Sequence, residues 1–169
     1  SSIVVYEEPN IYTDPCESFV NNEVDIRAVG FFQGYDNVPL GDVNISYDCL
    51  KDGCYLGKTE ADQGVYKLIT EIPDLCSGGY ITASADGYMT ARQQYDGEDD
   101  LRIRMKKLND YDIRVMKKER GSSEIKELDD TEMVILSISS QKYPTEIFEE
   151  LGNDDTASVE LLAEDGDYH

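Results

Sequence analysis

Apolar and polar residues alternate along much of this chain. Val43, Ile45 and Tyr47 are interleaved with Asn44, Ser46 and Asp48, while Leu101, Ile103 and Met105 are interleaved with Arg102, Arg104 and Lys106. Val134, Leu136 and Ile138 repeat the pattern near the C-terminus. A period of two puts one row of side chains in a core and the other in water, so each run predicts a strand with a single buried face. Turn residues separate the runs at Asp52-Gly53, Gly64, Ser77-Gly78-Gly79, Asp86-Gly87, Asp96-Gly97 and Asp165-Gly166. Short strands between such turns predict an all-β chain built as antiparallel sandwiches. The one helical candidate is a single turn over Glu146 to Leu151.

An internal echo divides the chain. Val24-Asp25-Ile26-Arg27 returns as Tyr111-Asp112-Ile113-Arg114, each followed by a turn-rich stretch and then a β run. Gly79-Tyr80 is echoed by Asp167-Tyr168, so the spacing from the opening motif to this tyrosine is 56 residues in the first case and 57 in the second. Equal spacing predicts two tandem Ig-like sandwich modules, over 23–108 and 109–169, preceded by an N-terminal extension over 1–22. The second module is expected to be incomplete, because no counterpart of Ile81 to Lys107 follows Tyr168. It should therefore present a raw sheet edge, and raw edges template pairing with another chain. The extension contributes a spare apolar run, Ile3, Val4, Val5 and Tyr6. A spare strand at one end and an open edge at the other predict head-to-tail β-strand addition between subunits. The simpler alternative is a fragment whose Ile3 to Tyr6 run pairs within its own chain.

The first module also carries a family pattern. Val38-Pro39-Leu40-Gly41-Asp42-Val43-Asn44-Ile45-Ser46-Tyr47, then Gly57-Lys58-Thr59, Gly64-Val65-Tyr66-Lys67-Leu68 and Ile81-Thr82-Ala83-Ser84-Ala85-Asp86-Gly87-Tyr88 together resemble the carboxypeptidase-regulatory-like domain. That domain is a transthyretin-like or Ig-like sandwich of secreted and cell-surface proteins. The module looks especially like archaeal surface versions, in which extra cysteines flank the same turns. The resemblance covers about residues 24–108, and the second module shares only its opening strands. It implies a scaffold, spacer or adhesive role without catalysis, and a fold shared with a family does not by itself fix function.

Cysteine usage adds a compartment. Cys16, Cys49, Cys54 and Cys76 form an even set within the first half of the chain, which suits two disulfides and an oxidising exterior. Zinc is disfavoured because Cys49 and Cys54 have no second C-x-x-C pair and no nearby histidine to complete four ligands. Three pairings are open. A bond between Cys49 and Cys54 would staple the Asp52-Gly53 hairpin and leave Cys16 to pin the N-terminal segment near Cys76. Asn44-Ile45-Ser46 is an N-glycosylation sequon whose asparagine falls on the wet face of its strand.

Charge narrows the partners. The 169 residues carry a net charge of −21, distributed as −4, −6 and −11 over the extension and the two modules. So acidic a chain repels a phosphate backbone and an anionic bilayer surface, which argues against nucleic-acid binding. No run approaches the about 18 apolar residues of a membrane span, so no membrane insertion is expected. The loop at Asp96, Glu98 and Asp100 is a weak calcium candidate. Leu101 stands where the calcium-loop pattern D-x-[DN]-x-[DN]-G needs glycine. Other acidic turns fall at Asp154 and Asp155 and at Glu164, Asp165 and Asp167. Acid is densest on the module expected to be unfinished, where it would guard an open edge against indiscriminate pairing.

Catalytic constellations are missing. His169 is the single histidine and the last residue, a poor anchor for a nucleophile's base. Gly53 to Thr59 has the glycines and lysine of a phosphate loop, but with three residues between the glycines rather than four and no helix to follow. Twelve tyrosines without tryptophan fit sandwich packing better than a sugar platform, although glycan contact stays a candidate partner interaction. The sequence is therefore expected to encode a non-enzymatic extracellular or cell-surface structural protein without cofactors. It would be a subunit of a surface filament, stalk or layer that self-associates, with Ile3 to Tyr6 as donor strand and the run Ser158 to Leu162 as acceptor. The alternative is a binding or spacer module of a larger secreted enzyme or adhesin.

Overall fold

The computed structural model describes residues 14–140 and 146–162. The chain divides into two compact units, Ser1–Asp86 with Thr90–Lys106, and Gly87–Met89 with Lys107–His169. The first holds a 3₁₀ turn, Pro15–Glu17, and nine strands: β1 (Phe19–Phe32), β2 (Tyr35–Pro39), β3 (Asn44–Asp48), β4 (Gly53–Lys58), β5 (Glu60–Asp62), β6 (Val65–Pro73), β7 (Tyr80–Ser84), β8 (Ala91–Gln94) and β9 (Asp100–Arg104). The second holds β10 (Leu108–Arg114), β11 (Lys117–Lys118), β12 (Ile125–Lys126), β13 (Val134–Ser139), β14 (Glu146–Leu151) and β15 (Thr156–Leu162). The protein is all-β, as the alternation predicts.

In the first unit β2, β1, β6 and β5 form one sheet, with β9 added to β1 in parallel. A second sheet runs β4-β3-β7-β8 and is antiparallel throughout. The buried rows of the two sheets supply one core. Val24, Ile26 and Ala28 come from β1 and Leu101 and Ile103 from β9, while Ile45, Tyr47, Ile81 and Ala83 come from β3 and β7. Their polar alternates stay on the outer faces, and Asp25 meets Arg27 there at 2.9 Å. Gln33-Gly34 turns β1 into β2 with both residues at positive φ, the geometry that matches the twist of a two-residue hairpin.

Thr59 is the one buried polar side chain of this core among the described residues. Its hydroxyl donates to the Leu40 carbonyl at 2.7 Å and accepts from the Val43 N–H at 3.1 Å. The threonine of the Gly57-Lys58-Thr59 motif thus satisfies two backbone groups at the bend into β3.

The second unit is built differently. β10 pairs only with β15, β13 only with β14, and β11 only with β12 among the described residues. Ile138, Leu151, Ala157 and Val159 make its core, with Ile113, Leu136, Ile147 and Leu161 packed around them. One correction falls here: Glu146 to Leu151 is strand β14, not a helical turn. Its residues pair across to Val134–Ser139 in unbroken register. Cross-strand pairing and the burial of Leu151 outweigh the helix preference of glutamate and leucine. The echoed motifs lie in β1 and β10, which keep different company. β1 pairs with β2, β6 and β9, whereas β10 pairs with β15 alone among the described strands.

Candidate functional site

Two disulfides fasten one end of the first unit. Cys16 is bonded to Cys54 and Cys49 to Cys76, with Cα separations of 5.6 and 6.2 Å. The hairpin staple between Cys49 and Cys54 is therefore not formed. In the β3–β4 register Tyr47 faces Cys54 and Asp48 faces Gly53, so Cys49 lies two residues beyond the partner of Cys54. Such a diagonal spans about 7–8 Å, at or beyond the upper limit of Cα spacing for a disulfide. Cys16 instead ties the Pro15–Glu17 turn to β4, and the Asp14 side chain caps that turn by accepting from the Cys16 N–H at 2.9 Å. Cys49 ties the end of β3 to the loop between β6 and β7.

Tyr47 reinforces the second tie. Its ring is buried, and its hydroxyl donates to the Cys76 carbonyl at 2.9 Å and accepts from the Gly79 N–H at 3.2 Å. A Cβ on residue 79 would lie 2.5 Å from that ring, so glycine is required for the approach. Tyr95 meets Tyr47 edge-on at 6.2 Å, and burial first, then Glu98 and Asp99, push its phenol above the ordinary value. Two clefts flank the tie, and Cys76, Ser77 and Gly78 line both. One, of about 520 Å³, is walled by Tyr47, Tyr95, Asp74 and Asp96. The other, of about 390 Å³, is walled by Leu50, Lys51, Tyr80 and Arg92, with the Arg92 guanidinium 4.7 Å from the Tyr80 ring. Sequence reading missed this role for Tyr47; the signal available was a small residue, Gly79, just before an aromatic strand.

Asn44 opens β3 and is exposed, while its neighbours Val43 and Ile45 are fully buried. The same outer face carries Ser46 and Asp48, and the Asp48 carboxylate accepts from the hydroxyls of Ser46 and Thr82. Tyr55, across from Ser46 on β4, is 64% exposed, and its hydroxyl donates to Asn44 Oδ1 at 3.4 Å.

The calcium candidates do not converge. Glu98 folds back to accept from the Asp96 N–H at 2.9 Å, and Asp100 opens β9 in register with Asp25. No group of three or more His, Cys, Asp or Glu side chains is arranged to hold a metal among the described residues. In the second unit three basic side chains are each shared between two acids. Arg114 bridges Glu127 and Asp154, Lys117 bridges Asp129 and Glu132, and Lys126 lies between Glu119 and Glu124.

The expected acceptor run, Ser158 to Leu162, lies in β15 and has one edge taken by β10, from Leu108↔Leu162 to Arg114↔Thr156. No second strand pairs with β15 among the described residues. On the outer face of the β13–β14 ribbon, Ile135 is 69% and Phe148 61% exposed, and they stand diagonally across the pair. The donor candidates Ile3, Val4, Val5 and Tyr6 lie outside the described residues, as do Glu164, Asp165, Asp167 and His169.

No protein-family model, curated protein or solved structure matches the chain. What stands is an all-β protein with two disulfides, a chemistry suited to an oxidising compartment. No helix among the described residues is long and apolar enough to cross a membrane.

Proposed function

We propose that the protein is a non-enzymatic extracellular structural subunit that self-associates by β-strand addition, as part of a surface filament, stalk or layer. The observation that carries this reading is the pairing of the second unit. Its two larger ribbons, β10–β15 and β13–β14, each have only two strands among the described residues. Two-stranded ribbons are marginal alone, and a third strand adds backbone hydrogen bonds and covers apolar surface. The run Ile3-Val4-Val5-Tyr6 of a second copy is the donor, and the edge of β15 opposite β10 is the acceptor. Alternation would place Ile3 and Val5 on one face of the extended ribbon and Val4 and Tyr6 on the other. Acid along the second unit disfavours indiscriminate pairing. In this reading the first unit is a carboxypeptidase-regulatory-like spacer, and the Thr59 bend and the glycine-bounded strands support the assignment.

Deleting residues 1–8 tests the donor. Sedimentation and electron microscopy should find polymers in the intact chain and only folded monomers after deletion. Equal assembly by the shortened chain would overturn the donor role.

A second reading draws on the clefts beside Cys76, concave surfaces of about 520 and 390 Å³ with converging polar groups. They favour a binding or spacer module of a larger secreted enzyme or adhesin. Glycan-array binding that is lost on replacing Arg92 or Asp74, by a chain that stays monomeric, would favour it over assembly.

A further inference from the structure

The outer face of the β4-β3-β7-β8 sheet has a modification site with its own seat. We propose that Asn44 carries an N-linked glycan whose first sugar lies on the ring of Tyr55; this rests on the extracellular reading, since only an exported chain meets the transfer machinery. Three observations meet at this spot. The sequon Asn44-Ile45-Ser46 is read outward, because Val43 and Ile45 are fully buried and leave Asn44 on the solvent side. The irregularity between Ile45 and Ser46 in the β3–β4 register sets Tyr55 directly across from Ser46, on the same face as Asn44. The Tyr55 hydroxyl donates to Asn44 Oδ1 at 3.4 Å, which engages the amide oxygen and leaves Nδ2 as the atom to be glycosylated.

The ring of Tyr55 is 64% exposed, so its face is open to a group attached at Asn44. A pyranose has an apolar face of C–H bonds that stacks on an aromatic ring, and a sugar fixed at Asn44 cannot diffuse away from it. The transfer is a substitution at the anomeric carbon of a lipid-pyrophosphate-linked oligosaccharide. The Nδ2–C1 bond forms, the C1–O bond to pyrophosphate breaks, the lipid pyrophosphate leaves with the electron pair, and Nδ2 loses one proton to a base of the transferase. Asn44 is paired in register with Lys58 on one side and Ser84 on the other. Transfer therefore precedes closure of this sheet, and the glycan then covers the face and keeps other proteins off it.

Glycopeptide mass spectrometry of the protein purified from its own source should find a hexose- or hexosamine-containing adduct on Asn44. For the seat, the chain is secreted from a host with an N-glycosylation pathway and melted as wild type, N44Q, Y55A and Y55F. Glycosylated wild type should melt about 2–4 °C above N44Q. Y55F, which keeps the ring, should keep most of that gap, and Y55A should lose it while remaining glycosylated. A native protein with both disulfides formed and bare Asn44 would overturn the glycan inference and leave the extracellular reading standing. Native protein with reduced thiols and bare Asn44 would overturn both. A gap in Y55A equal to that in wild type would overturn the seat.

Discussion

Replacing Tyr47 by phenylalanine removes one oxygen and keeps the ring that fills the core against Gly79 and Tyr95. The oxygen serves two backbone groups, the Cys76 carbonyl at 2.9 Å and the Gly79 N–H at 3.2 Å. Gly79 is buried, and the Cys49–Cys76 bond keeps the loop from moving out to find water. A buried group left without a partner costs about 1–3 kcal/mol, which the Gly79 N–H bears in full, while the part-buried Cys76 carbonyl bears about 1 kcal/mol, so the substitution should destabilise the first unit by about 2–4 kcal/mol. Urea unfolding under non-reducing conditions measures the total, and hydrogen exchange at the Gly79 amide reports the local opening. In a C49S/C76S background the loop can lift and hydrate, so the same substitution should cost less than half as much. A Y47F protein within about 0.5 kcal/mol of wild type, the range of ordinary surface changes, with Gly79 still protected, would refute the reasoning.

Three further outcomes are expected. Each disulfide closes a long loop, of sequence separation 38 for Cys16–Cys54 and 27 for Cys49–Cys76, so its removal should cost about 3.9 and 3.6 kcal/mol respectively by the loss of loop-closure entropy. Non-reducing peptide mapping must recover those two pairs and no Cys49–Cys54 peptide. Hydrogen bonding from Arg27, aided by the charges of Arg27 and Lys67, holds the Asp25 carboxyl below its ordinary value of 3.8. A lowered folded-state pKa adds stability that is complete above about pH 5 and is lost as pH falls through the folded value. The stability gap between wild type and D25N should therefore be flat above that pH and close in acid, and a gap that widens in acid would contradict the ion pair. Ile135→Lys and Phe148→Lys act on an exposed face of β13–β14 and not on β15, so each should leave stability within about 0.5 kcal/mol and self-association unchanged in sedimentation velocity. Weakened association would move the contact from β15 to the β13–β14 face.

Much of the fold was legible because strand identity is local. Val43, Ile45 and Tyr47, and likewise Leu101 and Ile103, are buried as their alternation requires. Glu146 to Leu151 misled because six residues of mixed character have no clear period, and their strand exists through the partner Val134–Ser139. Of the candidate sites, the wet-face position of Asn44 could be read from its neighbours. Tyr55 beside it could not, since it arrives from another strand through an irregular register.

By itself the sequence determined the all-β class, the faces of the main strands, the oxidised chemistry of four cysteines and the excess of acid on the C-terminal stretch. These depend on residue type and on spacings of one or two positions. Tertiary structure alone decided which cysteines bond, that Tyr47 locks the loop at Gly79, and that the described strands of the second unit pair as two-stranded ribbons. Each of those depends on the register between strands far apart in the chain. A shift of one residue in register turns every side chain to the opposite face, and no local pattern records it.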